Sequence, residues 1–157
     1  MGVPGPKLFA YWIRNVQGLA ATIYGRRMYE AMRYWDTDQP DWTEPLREFA
    51  VAWRALPKWV VSSTLESVGP NAMLISGDIE AQVRALKDRT EGTISVAGPQ
   101  IAGLMTELGL IDEYHLVLRP FVLGEGKPLF HAARPKLRLI ASEQIDDETM
   151  DLTYAPA

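Results

Sequence analysis

The sequence predicts an α/β fold, with a mixed, mostly parallel sheet, helices on both faces and a closing antiparallel hairpin. Three observations predict it. Short apolar runs alternate with segments of helical periodicity through the first two thirds of the 157-residue chain. From Tyr114 onward that alternation stops and period-two patterning takes over. No repeat, linker or low-complexity tract interrupts the order, and the length suits a single domain over residues 1–157 with a sizeable core.

Leu8, Trp12, Ile13 and Val16 recur at helical spacing, and Gly18 supplies a stop. Leu19-Ala20-Ala21-Thr22-Ile23-Tyr24 is a short apolar run ending at Gly25, the pattern of a buried strand. Gly25-Arg26-Arg27 opens a second helix carrying Met28, Ala31, Met32 and Trp35. After a polar loop from Asp36 to Trp42, Thr43 is a good N-cap for a third helix with Leu46, Phe49, Ala50 and Trp53 on one face. Pro57 ends it. Lys58 to Ser63 reads as the next strand, and Ala72-Met73-Leu74-Ile75 as another after the Gly69-Pro70 turn. A fourth helix runs from Asp78 to about Arg89 with Ile79, Val83 and Leu86 as its stripe, and Thr93 to Ala97 is a strand.

Pro99 suits a first helical turn, Ile101, Leu104, Met105 and Leu108 make a buried face, and Gly109 with Leu110 fits a left-handed cap. Tyr114 to Arg119 is a strand, followed by a loop at Gly124-Glu125-Gly126. Leu137, Leu139 and Ala141 alternate with Lys136, Arg138 and Ile140. Met150, Leu152 and Tyr154 alternate likewise after the Asp146-Asp147-Glu148 turn, so the two segments predict a hairpin.

Composition narrows the function. Hydrophobic residues are 47% and charged residues 23% of the chain, with a net charge of -4, which disfavours a non-specific nucleic-acid binder. The absence of cysteine excludes disulfides, thiol catalysis and Cys-ligated metal, and is compatible with a cytoplasmic setting. No apolar stretch approaches the roughly 20 residues that span a bilayer. Met1-Gly2-Val3-Pro4-Gly5-Pro6 lacks the basic and apolar regions of a signal peptide, and Pro6 stands where a myristoylation motif needs Ser or Thr.

In an open sheet of this type ligands bind outside the carboxyl ends of the strands. Three predicted strand ends carry small or polar residues there. Gly25-Arg26-Arg27-Met28 combines close backbone approach with two cations. Ser62-Ser63-Thr64 is a run of hydroxyls, and Gly98-Pro99-Gln100-Ile101 is a strand-to-helix turn. Each has an ordinary reading as turn chemistry; their conjunction at one sheet edge suits a dinucleotide's phosphates. Leu123 to Lys127 is a flexible loop over a ligand or a plain connection, since no Gly-Lys-Ser/Thr precedes a helix. His115 and His131 favour structural roles over a metal site, no Gly-x-Ser-x-Gly elbow is present, and Glu30, Asp112 and Glu113 are explained by capping and surface pairing. No catalytic residue is assigned. A hydride transfer tolerates that scarcity, because the cofactor carries the reaction.

The chain resembles the bacterial dihydrofolate reductase-like proteins, which share a fold with the C-terminal reductase domain of the bifunctional riboflavin-biosynthesis enzyme. The resemblance rests on Tyr24-Gly25-Arg26-Arg27-Met28-Tyr29-Glu30, Phe49-Ala50-Val51-Ala52-Trp53, Lys58-Trp59-Val60-Val61-Ser62-Ser63-Thr64-Leu65 and Val96-Ala97-Gly98-Pro99. It continues in Gly109-Leu110-Ile111-Asp112-Glu113-Tyr114 and in Pro120 to Phe130. It implies a three-layer fold and an NADPH-dependent reductase of a pterin- or pyrimidine-like heterocycle, usually a homodimer. Gly25, Arg26, Arg27 and Met28 would meet the cofactor phosphates, Ser62, Ser63 and Thr64 the adenosine 2′-phosphate, and Gly98, Pro99, Gln100 and Ile101 the pyrophosphate and nicotinamide side.

Tyr29, Met32 and Trp35, with the neighbouring Tyr34, could line a stacking pocket for a flat substrate, or simply pack in the core. A deazaflavin in place of NADPH is also open. The family opens with a core strand and a Ser-Leu-Asp-Gly-type loop that nothing before Lys7 matches. The resemblance therefore leaves two readings beside full activity: a start recorded downstream of the true one, or a non-catalytic dimeric ligand-binding protein of the same fold.

Overall fold

The computed structural model describes residues 4–157. Met1, Gly2 and Val3, on which the reading of the N-terminal run partly rests, lie outside the described residues. Helix α1 (Pro6–Gly18) starts with proline in its first turn and runs directly into strand β1 (Leu19–Gly25). Helix α2 (Arg26–Met32) follows without a loop and ends in a 3-10 turn, Arg33–Asp36. Helix α3 (Glu44–Ala55) leads through Leu56 and Pro57 to β2 (Lys58–Val61), and β3 (Ala72–Ile75) lies beside it. Asp78 caps α4 (Ile79–Arg89), its carboxylate accepting from the Ala81 N–H. Then come β4 (Thr93–Ala97), α5 (Pro99–Glu107), β5 (Tyr114–Leu118), β6 (Leu137–Gln144) and β7 (Met150–Pro156).

Strands β3-β2-β1-β4 are parallel and adjacent in that order, while β5-β7-β6 are antiparallel. The arrangement is three-layered because successive side chains of β1 point to opposite faces. Ile23 joins Ile75, Val83, Leu86, Ile101 and Met105 under α4 and α5. Its neighbour Tyr24 joins Val60, Ile13, Tyr29, Phe49 and Trp53 under α1, α2 and α3. Ile23, Val60, Ile75 and Met105 are each at most 1% exposed, so both faces of the parallel strands are dry.

The expected elements form in the expected order, with four local differences. In α1 Tyr11 is buried and Trp12 is 37% exposed, because the helix buries one side against the core and offers another to β7, where the Tyr11 hydroxyl donates to Asp151. Tyr29 replaces Ala31 as the buried residue of α2. Strand β2 stops at Val61, because the Ser62 hydroxyl takes the Thr64 and Leu65 N–H groups and turns the chain. In β6 the pairing shifts between Leu139 and Ala141, and both Leu139 and Ile140 are exposed.

Candidate functional site at the strand ends

Parallel register brings the three predicted turns together. Gly25 pairs with Val61 and Tyr24 with Ala97, so Arg26, Ser62 and Gly98 all leave the sheet at the same edge. The Gly98 turn needs glycine. Its φ of 115° is strained for any L side chain, and a Cβ there would sit 3.6 Å from the Met28 Cβ and 4.0 Å from the Gly25 nitrogen. The two glycine turns thus stand backbone against backbone. Beyond Gly98, Pro99 contributes no N–H, and the exposed Gln100 lies in the first turn of α5, where a helix leaves N–H groups without partners inside the helix.

Arg26 connects this edge to the hydroxyl run. Its Nη1 donates to Thr64 Oγ1 at 2.7 Å and its Nε to Glu30 Oε1 at 2.8 Å. Thr64 and Ser62 hydroxyls lie 3.4 Å apart, and Ser63 is exposed beside them. Arg27 is exposed and makes no ion pair among the described residues. The structure therefore gathers Gly25, Arg26, Ser62, Thr64 and Gly98, with Met28 packed beneath Gly98. Ile101 is 5% exposed and belongs to the core under α5, where its side chain supports Gly25 and Gly98 from behind.

Tyr29, Met32 and Trp35 sit in the second core layer. Tyr29 is 3% exposed and its hydroxyl accepts from the Gly69 N–H at 2.7 Å. The Trp35 ring packs among Tyr34, Trp42 and Phe49 at centroid distances of 5.1, 5.1 and 4.7 Å. Tyr29 is buried in that layer, while Met32 and Trp35 are partly buried at its edge.

Two polar groupings carry no local sequence signal. On the face of β5 and β7 toward α1, the Tyr11 hydroxyl donates to Asp151 Oδ2 at 2.7 Å, and His115 lies between Asp151 and Glu113 at 3.3 Å from each. Burial and Asp151 push the Tyr11 phenol up to about 12. Tyr11 and Asp151 are 140 residues apart, so only the folded register joins them.

The other is Lys58, 1% exposed, whose ammonium donates to the Leu56 carbonyl at 2.7 Å and lies 4.2 Å from the Trp53 ring centroid. Burial lowers its pKa to about 8, Asp36 offsetting part of the effect. Because the folded pKa lies below the unfolded one, the unfolded chain binds more protons between about pH 8 and 10.5, and this group's cost fades as pH rises through that window. Thermal melts of the protein and of Lys58→Met should therefore differ most in the variant's favour at and below pH 8. The difference should shrink toward pH 10.5; a pH-independent difference would refute the assignment.

This is a three-layer α/β fold of the dihydrofolate reductase type, with a strand-end edge that is glycine-lined and cationic. The chain belongs to the RibD C-terminal domain family, which it matches over residues 17–150. It is 31% identical over 120 residues to YyaP of Bacillus subtilis, an uncharacterized protein, the match covering 74% of this chain and 62% of that one. The matched stretch thus spans less than two thirds of that relative's length.

Among solved structures it resembles a riboflavin biosynthesis protein of Shewanella (TM-score 0.72, 21% identity, 99% of this chain and 84% of that one). It also resembles the dihydrofolate reductase of Enterococcus faecalis, solved with NADP(H) (TM-score 0.65, 13% identity, 98% and 83%). A third is a pyrimidine reductase-like protein of Corynebacterium diphtheriae (TM-score 0.63, 15% identity, 99% and 85%). These likenesses show the fold that the chain shares with them. No helix among the described residues is long and apolar enough to cross a membrane.

Proposed function

We propose that the chain binds NADPH across the carboxyl ends of β1, β2 and β4 and reduces a pterin- or pyrimidine-like heterocycle. The observation that carries this reading is the close approach of the Gly25 and Gly98 turns, with Arg26 joined to Thr64 beside them. A cradle that a side chain at Gly98 would strain, next to a helix N-terminus, fits a pyrophosphate, and the two arginines beside it fit a further phosphate. Arg26, Arg27, Ser62, Ser63 and Thr64 would hold the 2′-phosphate; Gly98, Pro99 and Gln100 would face the pyrophosphate, with Ile101 fixing the turn from the core. The bound cofactor would supply the hydride, and this chain's residues would bind and orient it.

Calorimetric titration tests the reading. Saturable NADPH binding with NADH clearly weaker is the expected result, and no heat at millimolar NADPH would overturn it. A homodimer fits the exposed apolar side chains of Leu118, Phe121, Val122, Leu123 and Leu129. Sedimentation at micromolar concentration reads that directly.

A second reading, a non-catalytic ligand-binding protein of the same fold, has one observation in its favour. The carboxylate nearest the glycine turns on α2, Glu30, is engaged by Arg26. NADPH binding without turnover on any pterin or pyrimidine tried would select it.

A further inference from the structure

The seven strands form two sheets that do not join. Among the described residues β4 pairs with β1 alone and β5 with β7 alone, so each of these two strands keeps one unpaired edge. The same two helices hold both sheets, one on each face. α5 packs Ile101 and Met105 against Ile23 and Val96, and its Thr106 hydroxyl accepts from the Tyr114 hydroxyl of β5 at 3.0 Å. α1 packs Ile13 with Tyr24 and Val60, while its Tyr11 hydroxyl donates to Asp151 of β7. The unpaired edges of β4 and β5 therefore look toward one another between the two helices. Paired strands of this chain approach within 8 Å along their lengths, and β4 and β5 do not. Two strands on either side of a third lie about 9.5 Å apart.

Burial differs accordingly. Ala21 to Tyr24 of β1 are buried, as a parallel strand covered on both faces should be. β4 is also parallel and has α5 against it, yet Ile94, Ser95, Val96 and Ala97 are all only half-buried. Leu116 and Val117 of β5 are half-buried too. Unpaired edges of this kind are templates for another strand. The chemistry that serves both edges at once is narrow. The N–H and C=O groups of an extended chain alternate between its two sides, so one strand can pair with β4 and β5 together. No ion or small molecule repeats that spacing over the five residues of each edge. Ile94 and Val96 on one side, with Leu116 and Val117 on the other, ask for apolar side chains on the added strand.

We infer that β4 and β5 take up an extended apolar peptide between them as an added strand, which joins the two sheets into one. The probe is acetyl-Lys-Val-Ile-Val-Ile-Val-Lys-amide, titrated into the full chain and read by amide hydrogen exchange. Two peptides of equal charge separate the requirements. One is N-methylated at alternate residues and cannot donate on one side; the other carries Ser and Gln in place of Val and Ile. The parent peptide at saturation should slow exchange at alternate amides of both Thr93–Ala97 and Tyr114–Leu118 by about 10-fold or more. Each control peptide should bind at least about 10-fold more weakly. Protection of one strand only would make this simple edge pairing and overturn the inference, as would equal binding of either control or no saturation at millimolar peptide. Alternate amides already protected in the dilute, peptide-free chain would overturn it too. Protection that appears without peptide as the chain is concentrated would give these edges to a second copy instead. None of these readouts involves NADPH, so this site and the strand-end site stand or fall separately.

Discussion

Replacing Trp53 with alanine is expected to lower folding stability by about 3–5 kcal/mol, which chemical denaturation would read as a shift in midpoint at unchanged slope. Trp53 is 1% exposed and lies in α3 against the sheet, in the layer with Tyr24, Phe49 and Val60. Three contributions are lost at once. The indole volume leaves a cavity that Val60 and Phe49, on separate rigid elements, can only partly fill. The Tyr24 hydroxyl loses the indole N–H that donates to it at 3.1 Å and stays buried. The Lys58 ammonium loses the ring face 4.2 Å from it. Trp53→Phe keeps most of the volume and a ring, so it should cost about 1–2 kcal/mol. If alanine and phenylalanine cost the same, the polar contacts and not the packing dominate, and the two-layer account of this core is wrong.

The sequence reaches some of these residues and not others. Trp53, Phe49 and Ala50 are legible because a helix on one side of a sheet buries one stripe, and that stripe repeats at helical spacing. β4 at Thr93–Ala97 and the proline start of α5 are legible for the same local reason, since turn chemistry and periodicity are written in neighbouring residues. The strand-end site is legible in part, because parallel strands with their turns at one edge bring Gly25, Ser62 and Gly98 together once the topology is right. Where local pattern meets two competing faces it fails. Tyr11 and Trp12 exchange roles because α1 is buried on two sides, and the second side is made by β7, far along the chain. The Lys58 ammonium looks like an ordinary strand-start cation in sequence; its burial depends on Trp53 and on the carbonyls that end α3.

Arg26→Ala and Arg27→Ala should each weaken NADPH binding by about 1–3 kcal/mol, or about 5- to 150-fold, and the double variant should reduce NADPH to the affinity of NADH. The two substitutions are not equivalent. Arg27 is exposed and free of ion pairs among the described residues, so its removal deletes one cation and little else. Arg26 is held by Glu30 and Thr64, with the Arg26 and Glu30 side chains 47% and 46% exposed. An exposed pair of that kind is worth about 0–1 kcal/mol, so the guanidinium can turn to a phosphate at small cost. Its loss does more than remove a contact: Glu30 is left as an unneutralised carboxylate at the phosphate edge, repelling the ligand that Arg26 attracted. Arg26→Ala should therefore be the more damaging substitution, and adding Glu30→Gln to it should recover part of the affinity. Both effects should shrink as salt rises from 0.05 to about 0.5 M, because the contacts are exposed and the screening length falls. NADH, without the 2′-phosphate, should be nearly indifferent to all three changes. A double arginine variant that binds NADPH as tightly as the parent would take the 2′-phosphate away from this edge and leave the glycine turns without a phosphorylated dinucleotide to hold.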